Sequence, residues 1–113
     1  MAITTQAIAP DFSVAAQLAV AQVAEVATQG FKTLVNNRPD GEGGPDQPRS
    51  EMIEAAAKAA SLHYVYLPVL TGAITPEQAV AMREALRMAP QPVLAFCRSG
   101  ARSAQLYSLA QAA

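Results

Sequence analysis

Short apolar runs alternate with longer helical segments along the chain, and this alternation restricts the fold more than any other feature of the sequence. The strand-like runs cover residues 11–15, 31–36, 63–69 and 91–96, and we expect the first of them to be an edge strand. The helical segments cover residues 18–29, 51–61, 76–88 and 102–112. Such alternation predicts an α/β fold with a central, mainly parallel sheet and helices on both faces.

Three residues are predicted to mark helix ends. Gly30 lies where a left-handed residue closes a helix, and Ser50 is a typical N-cap for the alanine-rich segment that follows. Thr75 is a second N-cap, because Pro76 is favoured at the first helical position that follows it.

Composition excludes several classes of protein. The 113 residues suit one domain, predicted to span residues 1–113 and to stand alone. The net charge of -1 gives no basic surface for nucleic acid, and no apolar run approaches the ~20 residues of a membrane helix. The first residues lack a signal peptide, and the one cysteine suits a reducing compartment, so we expect a cytoplasmic protein. One histidine and one cysteine make a structural zinc site improbable, and we expect no metal and no cofactor.

The chemistry is concentrated in the segment that follows the last predicted strand, Cys97-Arg98-Ser99-Gly100-Ala101-Arg102-Ser103. Ligands of parallel sheets bind beyond the carboxyl ends of the strands, which is where Cys97 should lie. Gly100 and its small neighbours, Ser99 and Ala101, allow successive backbone N–H groups to turn inward and form an oxyanion-binding loop.

The same features should activate the thiol. A cysteine near a helix N-terminus and an arginine has a lowered pKa, and the thiolate is the nucleophilic form. Arg102 is predicted to clamp the substrate oxyanion, while Ser103 either donates to the thiolate or caps the last helix. The competing interpretation is a buried structural cysteine beside two solvated arginines.

A loop rich in glycine and proline, residues 37–48, is long for a compact domain and is either functional or a solvated connector. Arg38 and Asp40 are candidate accessory residues of the site, although a surface ion pair between them explains the pair equally well.

Most of the chain resembles a bacterial family. The segments that carry the resemblance are Asn36-Asn37-Arg38-Pro39-Asp40-Gly41-Glu42, residues 64–69, residues 74–78 and the cysteine loop with its strand. They resemble the phosphatase-like domain of beta-lactamase-hydrolase-like proteins. This resemblance implies a dual-specificity-phosphatase-like fold. Members of the family occur alone or fused to modules such as a persulfide dioxygenase. The resemblance therefore implies a persulfide dioxygenase, or another enzyme of sulfide oxidation, as a partner.

The cysteine loop itself resembles that of rhodanese-type sulfurtransferases, Cys-Arg-x-Gly-x-Arg-Ser. Four residues separate Cys97 from Arg102, one fewer than in cysteine phosphatases. The first hypothesis is therefore a sulfurtransferase that forms a persulfide on Cys97, taking sulfur from thiosulfate or another persulfide.

Two alternatives stay open. A phosphatase that acts on phosphoesters through a phosphocysteine needs a general acid. The loop after residues 64–69 has no carboxylate, and Ala73 stands where relatives often carry an acidic residue, so Asp40 or Glu42 would have to substitute. The other alternative is a non-catalytic partner that binds oxyanions or persulfides.

Overall fold

The structure, a computed structural model, describes residues 2–113 and contains one five-stranded sheet. Its strands are β1 (Gln6–Ala9), β2 (Phe12–Ala15), β3 (Thr33–Asn36), β4 (His63–Tyr66) and β5 (Val93–Phe96). They lie in the order β1-β2-β5-β3-β4, with β1 antiparallel to β2 and every other pair parallel. The predicted α/β fold with a mainly parallel sheet is confirmed.

Four helices cover the sheet: α1 (Val23–Thr28), α2 (Ser50–Ala59), α3 (Pro76–Met88) and α4 (Ala101–Ala112). Alternate side chains of a strand point to opposite faces, so neighbouring residues such as Leu34 and Val35 belong to different core clusters. The cluster that contains Leu34 packs against α1 and α2, and the cluster that contains Val35 packs against α3 and α4. Burial on both faces explains why β5 reads as a continuous apolar run, while β3 has the buried polar residues Thr33 and Asn36 at its two ends.

The prediction of which strand forms the edge of the sheet was wrong. The run at residues 11–15 was expected to be an edge strand, but β2 is interior because β1 pairs with its outer side. The strand β1 is almost fully exposed and lacks an alternating apolar pattern, which is why its sequence gives no strand signal. The strand expected to reach residue 69 ends at Tyr66, just before Pro68, which cannot donate to a sheet.

The helix ends differ from prediction at two points. The segment expected to be helical from residue 18 begins as a 3-10 turn at Val20–Gln22 and is α-helical only in α1. Ser50 is the first residue of α2 and does not cap it; Arg49 is the N-cap. The predicted Thr75 cap is confirmed, since its side chain accepts the Gln78 N–H, and Gly30 takes a φ of 97° after α1. No helix within residues 2–113 is long and apolar enough to cross a membrane.

Candidate active site

Cys97 follows the central strand β5 directly, at the carboxyl edge of the sheet. Its backbone N–H donates to the Ala15 carbonyl at the end of β2, at 3.4 Å. On the other side, the Asn37 N–H donates to the Phe96 carbonyl at 2.9 Å. The cysteine therefore lies where three parallel strands end, which is the position that binds ligands in sheets of this kind.

Gly100 turns the chain from the cysteine loop into α4. Its φ of 95° lies in the left-handed region, and a Cβ at this position would lie 3.4 Å from the Ala15 carbonyl oxygen. Only glycine combines this backbone conformation with so close an approach at little cost. As a result, the Gly100 N–H donates to the Cys97 Sγ at 3.1 Å.

The loop stabilises the Cys97 thiolate. Burial raises the pKa of the thiol. The hydrogen bonds from the backbone and hydroxyl of Ser103 and from the N–H groups of Ser99 and Gly100 lower the pKa by more than burial raises it. The net pKa lies below the ordinary cysteine value. Cys97 is 1% exposed and lines the cavity above it, through which a small reagent can reach the sulfur.

Asn37 is a site residue that the sequence analysis did not single out. It is fully buried, its Nδ2 donates to the Leu67 carbonyl at 2.9 Å, and its Oδ1 accepts the Ser103 hydroxyl at 2.8 Å. The Ser103 hydroxyl has one hydrogen, which it donates either to Asn37 or to the thiolate. A polar residue directly after β3, at the ligand-binding edge, was the signal available in the sequence.

Arg102 lies in the first turn of α4, with its side chain 7% exposed. Its Nη1 and Nη2 donate to the two carboxylate oxygens of Glu42, both at 3.0 Å, and Nη1 also donates to the Val69 carbonyl at 2.9 Å. The Nε is buried and has no hydrogen-bond partner among residues 2–113. The three hydrogen bonds use both hydrogens of Nη1 and one of Nη2, so the Nε–H and one Nη2–H are left without an acceptor within residues 2–113 and can donate to a bound anion.

Glu42 joins Arg102 to the loop of residues 37–48. Its Oε1 also accepts the Arg38 Nε at 2.9 Å. The pKa of Glu42 is lowered, chiefly by the hydrogen bond from Arg102; burial opposes the shift and Arg38 adds to it. Glu42 is therefore an ionised counter-ion at neutral pH and has no proton to give, and Arg38 pairs with it instead of with Asp40.

Asp40 caps a helix. Its Oδ1 accepts the Ser50 N–H at 2.7 Å, at the start of α2, and its Oδ2 lies 3.9 Å from the Arg49 guanidinium. Its own N–H donates to the Tyr66 hydroxyl at 2.9 Å. These contacts direct the carboxylate toward α2, and Asp40 is absent from the walls of the cavity above Cys97.

That cavity has a volume of about 250 Å³. Its walls bring together most of the predicted loop residues with two others: Thr71, Cys97, Arg98, Ser99, Ala101, Arg102 and Gln105. The wall contains no carboxylate, and within residues 2–113 no cluster of three or more His, Cys, Asp or Glu side chains could hold a metal ion. The arrangement is a thiolate in a cradle of N–H groups, with the guanidinium of Arg102 beside it.

Sequence comparison identifies relatives over nearly the whole chain. The profile of the family "Beta-lactamase hydrolase-like protein, phosphatase-like domain" matches residues 4–113. A beta-lactamase hydrolase-like protein from Agrobacterium fabrum is 37% identical over 100 residues, which are 88% of this chain and 23% of that protein. One from Xylella fastidiosa is 38% identical over 75% of this chain and 20% of its own length. The chain thus spans about a fifth of the length of these relatives.

Solved structures share the fold. A provisionally assigned phosphatase from Neisseria meningitidis superimposes with a TM-score of 0.82 at 29% identity, over 89% of this chain and 71% of its own. TpbA from Pseudomonas aeruginosa, solved in complex with phosphotyrosine, gives a TM-score of 0.62 at 19% identity, over 87% and 55% of the two chains. The fold is that of the cysteine phosphatases.

Proposed function

The chain belongs to the family of phosphatase-like domains of beta-lactamase hydrolase-like proteins, and from this premise we propose a cysteine-dependent enzyme whose Cys97 takes a sulfane sulfur from a small anionic donor. The phosphatase-like fold supplies the nucleophile and the oxyanion cradle. That Cys97 transfers sulfur is our proposal.

One observation carries the choice of sulfur: no carboxylic acid stands ready beside the thiolate. Glu42 is held ionised by two arginines, and Asp40 caps α2. A phosphoryl transfer that expels an alkoxide needs a general acid to protonate the leaving oxygen. Sulfite and thiolates leave without one, so a site with this set of residues suits sulfur transfer better. The short loop between Cys97 and Arg102 supports the same choice.

With thiosulfate as donor, the Cys97 thiolate attacks the outer, sulfane sulfur. The new bond joins Cys97 Sγ to that sulfur, the S–S bond of thiosulfate breaks, and its electron pair leaves with sulfite. The Arg102 Nε–H and the loop N–H groups face the anionic end of the donor. A thiolate or cyanide acceptor then attacks the outer sulfur of the Cys97 persulfide and releases the Cys97 thiolate again.

The second candidate is a phosphatase-like hydrolase, and the comparisons favour it. The structural relative from Neisseria meningitidis is named as a phosphatase, and TpbA was solved with phosphotyrosine bound. Under this proposal Cys97 attacks phosphorus and forms a phosphocysteine that water hydrolyses. It requires a proton donor other than Glu42, or a substrate whose leaving group needs none.

The test is the intact mass of the reduced protein after incubation with thiosulfate or with glutathione persulfide, beside Cys97→Ser as control. We expect the wild type alone to gain one sulfur atom and to lose it again to cyanide. The same two proteins are assayed for hydrolysis of an aryl phosphate. This substrate has a good leaving group, so a phosphatase can hydrolyse it without a general acid.

Each result selects one account. Hydrolysis that disappears in Cys97→Ser, without any sulfur gained, replaces sulfur transfer by the phosphatase. A persulfide that forms on Cys97 but is never discharged by an acceptor indicates a binding or sensing role without turnover. Absence of both reactions overturns the proposal.

A further inference from the structure

A second cavity of about 580 Å³ adjoins the cavity above Cys97. It is lined by Arg38, Glu42, Gly43, Thr71, Arg98 and Arg102, and we call it the arginine cavity. Thr71, Arg98 and Arg102 line both cavities. A molecule that reaches the thiolate with one end can therefore place its other end in the arginine cavity.

The charges around the arginine cavity do not balance. Three of its lining residues are arginines and one is a glutamate that Arg38 and Arg102 share, so the wall carries a net excess of two positive charges. Glu42 is the counter-ion of Arg102 and touches only the Nε of Arg38. A cavity with this excess favours a bound anion.

Arg38 is fixed in a position to receive that anion. Its Nε donates to Glu42 and its Nη1 to the Gln17 side chain at 3.3 Å, while its Nη2 has no acceptor among residues 2–113. The side chain is 11% exposed. Gly43 lies against the free end: a Cβ there would come within 2.7 Å of Nη2. Glycine at this position leaves room for the guanidinium, and the hydrogen bonds of Nε and Nη1 reduce the side-chain entropy that binding would otherwise cost.

Arg98 provides the second positive wall. It follows the nucleophile directly, is exposed, and forms an ion pair with none of the described carboxylates. Thr71 lies on the boundary between the two cavities. Together, Arg38 and Arg98 form a pair of donors beside the nucleophile, distinct from the Arg102 Nε that serves the reacting group.

We propose that the arginine cavity is a second anion subsite, which takes the remote carboxylate of an organic donor while the sulfur of that donor reaches Cys97. This inference rests on the proposed function and narrows its substrate class. The preferred donors are small organic persulfides or thiosulfonates that carry a carboxylate, because inorganic thiosulfate is too compact to occupy both cavities.

The experiment measures protection of Cys97 against alkylation by iodoacetamide, which needs no turnover. The ligands are 3-sulfopropanoate and propane-1-sulfonate, which have the same chain length and differ only in the carboxylate. We expect 3-sulfopropanoate to protect the wild type with a dissociation constant roughly tenfold lower than that of propane-1-sulfonate. A tenfold ratio corresponds to about 1.4 kcal/mol. Arg98→Gln should reduce this difference, because Arg38 remains, and Arg98→Glu should abolish it. Arg87→Gln, an exposed arginine on α3, is the matched control and should preserve it.

The outcomes separate the subsite from the proposed function. Equal protection by the two ligands, or a preference that survives Arg98→Glu, overturns the subsite and leaves the cysteine loop as an anion site. Protection by neither ligand overturns the subsite, and the gain of sulfur on Cys97 then decides the proposed function separately. A carboxylate preference that depends on Arg98, in a protein that forms no persulfide, supports the subsite and refutes sulfur transfer.

Discussion

Ser103 is the side chain on which the reactivity of Cys97 depends most directly. Its backbone N–H and hydroxyl both lower the pKa of the thiol against the opposing effect of burial. The hydroxyl also donates to the Asn37 side chain at 2.8 Å. When the thiolate forms, the Ser103 hydroxyl hydrogen therefore turns from the neutral Asn37 amide oxygen to the anionic Cys97 sulfur. The hydrogen bond to the anion is the stronger of the two.

Ser103→Ala removes that donor, so the thiolate loses stabilisation and the pKa of Cys97 should rise. Because alkylation follows the thiolate fraction, the midpoint of the rate of iodoacetamide alkylation against pH should move to higher pH, by about one unit. Ser108→Ala changes an exposed serine of the same helix and should leave the midpoint in place. An unchanged midpoint in Ser103→Ala would show that the backbone N–H groups alone hold the thiolate.

Glu42 makes stability depend on pH in the acid range. The hydrogen bond from Arg102 lowers the pKa of Glu42 in the folded protein, so the carboxylate is bound more tightly there than in the unfolded chain. Its contribution is present above the ordinary carboxyl pKa of about 4.3 and is lost as the pH falls through the lowered folded value.

Glu42→Gln should lower the free energy of unfolding by about 2 kcal/mol at pH 7, because it leaves Arg102 buried without its counter-ion. The difference from wild type should shrink from about pH 5 downward. Urea denaturation at several pH values measures it. Glu54→Gln, which removes an exposed ion pair with Lys58, should cost little at any pH. A loss in Glu42→Gln that is the same at pH 3 and pH 7 would contradict the assignment.

At the scale of elements, the loop of residues 37–48 links α2 to the site. One of its carboxylates caps α2 while another holds Arg102, so two acidic residues of the same loop have different tasks. Asp40→Ala should lower the free energy of unfolding by about 1 kcal/mol through the lost cap. It should leave the pKa of Cys97 unchanged, since the Asp40 carboxylate faces α2. The rate of persulfide formation should stay within about twofold of wild type.

Stopped-flow persulfide formation and urea denaturation check this prediction, with the exposed Asp46→Ala as control. A general acid behaves differently: its removal lowers turnover by about 10²–10⁴-fold. A loss of that size in the hydrolysis of an alkyl phosphate by Asp40→Ala, with stability unchanged, would favour the phosphatase, because an alkoxide leaves only when it is protonated.

Elements whose signals are local in sequence were predictable. The cysteine loop lies within seven consecutive residues, and strand, glycine and helix follow one another there as the sequence indicates. The Thr75 cap is also local. The strand β1 was not predictable, because its pairing with β2 is made through the backbone and its side chains are mostly exposed.

Contacts between distant segments were equally hidden. The pair of Glu42 and Arg102 spans 60 residues and that of Asn37 and Ser103 spans 66. The sequence shows that these polar residues follow strands, but which of them meet is decided by the strand order β5-β3-β4. The role of Asp40 as a cap depends in the same way on how the loop folds back onto α2.

Across the whole molecule, charge is distributed unevenly. The chain carries a net charge of -1, yet three of its eight basic residues surround the arginine cavity with one glutamate. At long range the protein repels anions weakly, and near Cys97 it attracts them. Anionic donors thus gain from the local field only when they are within about a Debye length of the site.

The ratio of alkylation rates by iodoacetate and iodoacetamide measures this local field, since the two reagents differ mainly in one negative charge. At 10 mM salt we expect the ratio at Cys97 to exceed that of N-acetylcysteinamide, a neutral reference thiol, by roughly tenfold. At 1 M salt, where the Debye length falls from about 30 Å to 3 Å, the excess should largely vanish. Arg98→Gln should reduce the excess at low salt and Arg87→Gln should not. A ratio equal to the reference at every salt concentration would show that Glu42 and solvent screen the arginines completely, and that anionic substrates bind without electrostatic help.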